Sequence, residues 1–270
     1  TLYKDTINRN KDIVYFYNIL QAQEFASAMA IDGRWGSGKT FFVRQTKMVI
    51  NALNPSSVMD EEKRAKVTAR LSFPNNGQDR DNCSIAVYYD AWENDNDTEP
   101  ILSLIYEITK QLCVDFSLSD KSIVKIAGAI VEAISGHNIN GIKDALSSDD
   151  PFTKFKEQKD IEAKIKDFLT GLLAERGNRL VIFVDELDRC KPTFTVHLLE
   201  QIKHYIFDDR ITFVFSVNLE QLQHTIKHYY GTNFDSCRYL DRFFDLRITM
   251  PPADMDKFYT QIGLESRYYV

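Results

Sequence analysis

The stretch Ile31–Phe42 reads IDGRWGSGKTFF, with Gly33, Gly36 and Gly38 followed at once by Lys39 and Thr40. Glycines let backbone N–H groups close on an anion where a Cβ would clash. The first turn of a helix adds unpaired N–H donors and a positive dipole end. A cation and a hydroxyl directly behind complete the pattern G-x-x-x-x-G-K-[ST], which cradles a phosphate chain. In that pattern the lysine reaches the β/γ-phosphates and the hydroxyl goes to Mg²⁺. The predicted cradle is therefore Gly33, Arg34, Trp35, Gly36, Ser37, Gly38, Lys39, Thr40 and Phe41, with Lys39 also acting in catalysis and Thr40 as a metal ligand. An ordinary glycine turn before a helix is the alternative. The flanks favour the phosphate loop: Ala26–Ile31 (ASAMAI) fits a short strand, and Lys39–Leu53 fits a helix with Phe42, Val43, Met48, Val49 and Leu53 available to a core.

Outward from the loop, Asn10–Phe25 reads as an amphipathic helix and Phe73–Asn82 carries every loop signal. Strands are predicted at Ser84–Asp90, Leu180–Val184, Ile211–Asn218 and Leu246–Pro252, the last stopped by its prolines. Helices are predicted from Thr98 to Cys113, from Pro151 to Gly177 with that glycine as C-cap, after Pro192, and from Leu219 to near Gly231, with a short one at Cys237–Phe244. The region of about 114–150 reads as a helical insertion. Alternation of this kind predicts one α/β domain over 1–270, a parallel sheet with helices on both faces. Ligands in such sheets sit at the carboxyl ends of the strands.

With 44% apolar and 27% charged residues, the chain has the composition of a globular protein. A net charge of −6 supplies no global field for nucleic acid, though a local basic patch stays open. The four cysteines lie far apart without metal-ligand spacing and read as small hydrophobes in a reducing, cytoplasmic setting. The most apolar run, Ile123–Ser135, is short and holds Lys125 and Glu132, so no membrane span is predicted. A start at Thr1 and an apolar end, YYV, suggest a piece of a longer protein.

Asp185 and Glu186 directly follow a hydrophobic run. Behind a phosphate loop, an aspartate there holds Mg²⁺ and the adjacent glutamate can activate water. The pair could instead cap the next helix. Asn218 can reach the γ-phosphate or N-cap the helix that follows it. Arg242 and Arg238 precede the last strand as candidates for the extra cation of hydrolysis, with Arg189 as a third. Trp35 is bulky for a phosphate loop and can pack on the sheet edge or on Asp90–Trp92, and Glu93 can also face the site. His224 and His228 are four apart but lack a third ligand.

Together, GRWGSGKT, YYDAWEND, VIFVDELDRC and YLDRFFDLRITMP resemble the KAP family of P-loop NTPases, over nearly the whole chain. That family belongs to the additional-strand class, close to the STAND and AAA+ ATPases. The resemblance implies a three-layer P-loop fold with strand order 5-1-4-3-2 and a Mg²⁺-dependent ATPase. It places Asp185 and Glu186 in the two acidic Walker B positions, where the family more often has a second aspartate. It also has an aspartate more often where Asn218 stands. It implies a homo-oligomer, with Arg242 facing a neighbour's γ-phosphate, an effector domain or protein whose identity stays open, and a link to bacterial anti-phage defence. A non-hydrolysing nucleotide switch or scaffold is the rival. A kinase shares the loop, but the sequence has no arginine-rich lid. The choice between ATP and GTP is not encoded in these motifs.

Overall fold

The structure is a computed structural model that describes residues 5, 9–25, 27–71, 83–112, 153–205, 208–252 and 259–260, with the side chains of the 153–176 helix described from 163 onward. Five runs rich in β-branched and aromatic residues form strands: β1 Ser27–Asp32, β2 Ser84–Asp90, β3 Arg179–Asp185, β4 Ile211–Val217 and β5 Leu246–Thr249. Eight helices among the described residues surround them: α1 Asn10–Gln21, α2 Lys39–Leu53, α3 Glu61–Thr68, α4 Pro100–Leu112, α5 Thr153–Arg176, α6 Pro192–Tyr205, α7 Leu219–Tyr230 and α8 Ser236–Asp241. Every strand pair is parallel and the order is β2-β3-β4-β1-β5. This is the predicted order, 5-1-4-3-2, read from the other edge. The fold is that of a P-loop NTPase.

Strand periodicity divides the core into two layers. On one face, Ile182 and Val184 of β3 and Phe213 and Phe215 of β4 pack with residues from α4 through α8. On the other, Val181, Phe183 and Val214 pack with α1, α2 and Val67 of α3. Both faces are dry, which is why β3 and β4 read as unbroken apolar runs.

β2 is an outer strand, and an open edge invites another chain to pair. Side-chain amides close it. Asn51 of α2 donates from Nδ2 to Ala86 O at 2.9 Å and accepts from Ala86 N at 2.8 Å. Gln111 of α4 donates from Nε2 to Tyr88 O at 2.6 Å and accepts from Tyr88 N at 3.1 Å. Asn94 Nδ2 covers Asp90 O at 2.7 Å. Each amide occupies the place of a missing strand.

Several boundaries differ from the sequence reading. α1 ends at Gln21 rather than Phe25, and Phe25 is 71% exposed. β1 runs one residue later than predicted, and β5 stops at Thr249, before the two prolines. α3 was not predicted: of its eight residues only Val67 is buried, so it carries almost no apolar periodicity. Asp60 caps it, accepting from Lys63 N at 3.1 Å. Gly177 N bonds to Leu173 O at 3.1 Å, closing α5 as expected. The predicted insertion at about 114–150, the loop at 73–82 and Cys113 lie outside the described residues. No helix of the described residues is long and apolar enough to cross a membrane.

Candidate functional site

The phosphate loop leaves the carboxyl end of β1 and turns into α2 beside the ends of β4 and β3. Gly33 N donates to Val217 O at 3.2 Å, which fixes the start of the loop to β4. A Cβ on Gly33 would sit 2.8 Å from Ser37 Oγ and 3.1 Å from Met250 Cβ, so glycine is required by close approach. Gly38, the N-cap of α2, has φ of 89°, a conformation that costs other residues energy. Arg34, Trp35 and Gly36 are exposed at the loop tip, while Ser37, Gly38, Thr40 and Phe41 are half-buried. Lys39 is 8% exposed, and its Nζ donates to Gly33 O at 2.6 Å and Arg34 O at 3.2 Å. The ammonium thus curls back onto the loop carbonyls. Ser37 Oγ is buried without a hydrogen-bond partner among the described residues. A curled cation, an orphan hydroxyl and a helix N-terminus together fit an anionic ligand.

The acids of β3 arrive from the neighbouring strands. Parallel register sets Asp185 beside Asp90 of β2 and Ser216 of β4. Asp185 is fully buried, and it accepts from Tyr88 Oη at 2.9 Å and from Glu186 N at 3.1 Å. Arg44 of α2 stacks over the Tyr88 ring, 4.4 Å from its centroid, and donates to its hydroxyl at 3.2 Å. Burial pushes the Tyr88 hydroxyl's pKa upward, and Asp185 adds to it, so the phenol stays a donor. Glu186 holds φ of 61°, in the left-handed region. Such strain costs about 1–3 kcal/mol and is found at functional sites. Burial, with Asp185 beside it, raises the Glu186 carboxyl above its ordinary value, and Arg189 offsets only part of this. Thr40 Oγ1 donates to Glu186 Oε1 at 3.4 Å, bridging the loop and β3 across 146 residues of sequence.

Trp35 takes neither of its predicted positions outright. Its Nε1 donates to Asp188 Oδ2 at 2.7 Å, across the end of β3. Arg189 lies between two indoles, 5.6 Å from the Trp35 ring and 5.5 Å from the Trp92 ring. Its Nε meets Glu186 Oε2 at 2.5 Å. Trp35 therefore reaches the Asp90–Trp92 segment through Arg189. Glu93 is exposed, and its N–H caps back to Asp90 Oδ1 at 3.2 Å. His224 and His228 line a groove of about 730 Å³ beside these tryptophans. No cluster of His, Cys, Asp and Glu among the described residues could hold a metal ion by itself.

Asn218 directly follows β4 next to the loop and caps α7, accepting from Gln221 N at 3.3 Å. The capping role is thus present, at a position that also borders the loop. Arg242 is not brought to the loop. It precedes β5, whose Leu246 pairs with Met29 near the start of β1. Arg242 and Arg238 are exposed and line a cavity of about 530 Å³ with Glu200, Lys203 and His204. The residues that sequence reasoning missed are Tyr88, Arg44 and Asp188. Tyr88 was detectable in principle, because it lies two before Asp90 on one side of β2.

The donor set at the rim is all oxygen: the Thr40 hydroxyl, the buried Asp185 carboxylate and Glu186. That chemistry suits Mg²⁺, which takes one or two protein oxygens and completes its shell with water and phosphate.

A family model described as the KAP family P-loop domain matches residues 9–264. A stretch of 68 residues is 34% identical to an uncharacterized protein of Methanocaldococcus jannaschii, spanning 25% of this chain and 34% of that protein. The Aeropyrum pernix ORC2 protein, solved as ADPNP-ADP complexes, aligns over 95% of this chain and 50% of its own, with a TM-score of 0.44 and 11% identity. The chain thus matches about a third of the first relative's length and half of the second's.

Proposed function

The chain belongs to the KAP family of P-loop domains, and on that premise we propose that it binds ATP and hydrolyses it with Mg²⁺, turning the cleavage into a conformational change within an oligomer. The observation that carries this reading is the convergence of Lys39, Thr40, Asp185 and Glu186 on one rim, with Thr40 and Glu186 3.4 Å apart. Lys39 exchanges its two carbonyl partners for phosphate oxygens, and the loop N–H groups take the rest of the chain. Thr40 and Asp185 would hold Mg²⁺, with Tyr88 orienting the Asp185 carboxylate. Held there, Mg²⁺ would supply positive charge against the phosphates. Glu186, whose carboxyl is already raised, takes the proton of the attacking water. Asn218 follows the β4 residue that anchors the loop, and its amide would contact the γ-phosphate or that water.

Arg242 supplies the remaining cation from a neighbouring copy, since it lies on the opposite rim of its own sheet. The reaction proceeds in the cytoplasm, in a single domain with an insertion at about 114–150. The anti-phage association of the resembled family extends the reading to bacterial defence. A plaque assay that scores no difference between cells expressing the native chain and the Lys39→Ala chain would remove that extension.

A second reading has its own support. Arg189 occupies one oxygen of Glu186 at 2.5 Å, which would keep the base from water and leave a nucleotide switch. Both readings need the loop to bind. In calorimetry with Mg-ATP, Lys39→Ala is expected to lower affinity about tenfold or more, since charge-assisted contacts to phosphate are the strong ones. Unchanged affinity would remove the phosphate loop from the account.

A further inference from the structure

A third cavity, of about 530 Å³, lies between α2, α3 and the outer edge of β2. Its size falls within that of small-molecule sites, roughly 300–1,000 Å³. Arg44 and Lys47 enter it from α2 and Lys63 from α3, above apolar ground made by Met48, Val58 and Met59. Apart from Arg44, which braces Tyr88, the reaction described above uses none of these residues.

The charges here do not balance. Lys47 Nζ donates to Gln111 Oε1 at 2.6 Å, an uncharged partner. Neither Lys47 nor Lys63 pairs with a carboxylate among the described residues. The acids nearby do not cancel these charges. Asp60, the one carboxylate among the lining residues, caps α3 by accepting from the Lys63 backbone N–H and offsets one of the three. Glu107 pairs with Lys110 at 2.8 Å and accepts from Gln111 at 3.3 Å. Arg44 is 3.9 Å from Asp90, at the limit of an ion pair. Burial, then Lys63 and Arg44, pushes Lys47 down to about 8. Three cations lining one cavity over an apolar floor, against a single lining carboxylate, favour an anion with an apolar body. An added strand is the wrong occupant, because Asn51 and Gln111 already satisfy the β2 backbone at this place.

We propose that this cavity binds a small organic phosphate, its phosphate held by Arg44, Lys47 and Lys63 and its apolar part on Met48, Val58 and Met59. Occupancy also reaches the loop rim. Arg44 is one hydrogen bond from Tyr88 Oη, which is one from Asp185. A ligand that draws Arg44 outward loosens the phenol that orients Asp185. This coupling rests on the metal-binding role given to Asp185; the binding itself does not.

The probe is 1-naphthyl phosphate, followed by its fluorescence without added nucleotide, on the native chain and on the Lys39→Ala chain, whose phosphate loop is disabled. Saturable binding is expected, weakened about tenfold or more by Lys63→Gln and by Lys47→Met, and unchanged by Lys203→Gln at the far rim. Lys63 lies on the surface of α3, so its replacement leaves a folded protein, verified by circular dichroism. A second arm uses vesicles containing phosphatidic acid. Lys63-dependent binding to the vesicles alone identifies a lipid phosphate as the source, and binding to the soluble probe alone identifies a free one. No binding in either arm, or binding that ignores both lysine variants, overturns the proposal. These results hold even if the phosphate loop binds no nucleotide. The coupling is read separately, as a ligand-induced change in ATP turnover that Arg44→Gln abolishes; an equal change in that variant overturns it.

Discussion

The two rims of the sheet are built on opposite plans. At the carboxyl rim, polar groups are packed against one another: Lys39 on loop carbonyls, Tyr88 on Asp185, Trp35 on Asp188, Arg189 on Glu186. Charge there is held ready and mostly satisfied. At the amino rim, Arg238, Arg242, Lys203 and His204 face solvent around an open cavity. Leu246 pairs with Met29, so Arg242 enters β5 from the far end. Four residue steps lead from Met29 to Gly33, about 13 Å of rise, before the residues preceding Leu246 are added. No side-chain rotation brings Arg242 to its own phosphate loop. One rim gathers the loop and the acids of β3, and the other presents Arg238 and Arg242, exposed, around an open cavity.

The sharpest way to break this contrast is to mix two defective proteins. Lys39→Ala has a dead loop and an intact Arg242; Arg242→Ala has the reverse. An arginine finger adds about 10³–10⁵ in rate. If Arg242 acts in trans, each variant alone is nearly inactive and the mixture partly recovers. No recovery, with a monomer in sedimentation under ATP, would strip the amino rim of its catalytic role and leave Arg189 as the arginine available in cis.

A smaller effect is expected from Tyr88→Phe. It removes the phenolic donor to the fully buried Asp185 and leaves that carboxylate short of a partner, a cost of about 1–3 kcal/mol. Chemical denaturation reads the loss of stability, and the Mg²⁺ concentration for half-maximal turnover should rise. Unchanged stability together with unchanged Mg²⁺ dependence would show that Asp185 needs no orienting group.

The smallest effect belongs to Trp35→Phe. The ring stays beside Arg189, but the bond to Asp188 is lost, at about 0.5–1.5 kcal/mol. The melting temperature should fall slightly while nucleotide affinity holds. A large loss of affinity would make Trp35 a ligand contact rather than a brace.

What the sequence made legible follows from where the physics is local. Gly33 to Thr40 encode a loop whose function depends on backbone freedom, one cation and one hydroxyl, all within a single turn of chain. Leu180 to Val184 announce a strand dry on both faces, and Asp185 must then sit at its end. The order of the strands came from likeness to a class, since nothing local in β2 says that it lies at an edge. The missed parts are those that depend on register or on distant elements. Tyr88 matters because β2 pairs residue for residue with β3. Arg189 meets Glu186 because a left-handed residue bends the chain there. α3 buries only Val67 and is otherwise largely polar, held by its Asp60 cap and by Arg64, which donates to Ala52 O at 3.1 Å; a periodicity argument cannot see such a helix.

The central claim is that the carboxyl rim cleaves ATP with Glu186 as the base. Phosphate release from ATP in Mg²⁺, measured for the native chain and for Glu186→Gln at equal nucleotide occupancy, tests it most directly. The amide keeps the shape and loses the basicity, so occupancy should be retained while turnover falls about 10²-fold or more. Turnover near the native rate in Glu186→Gln would contradict the account.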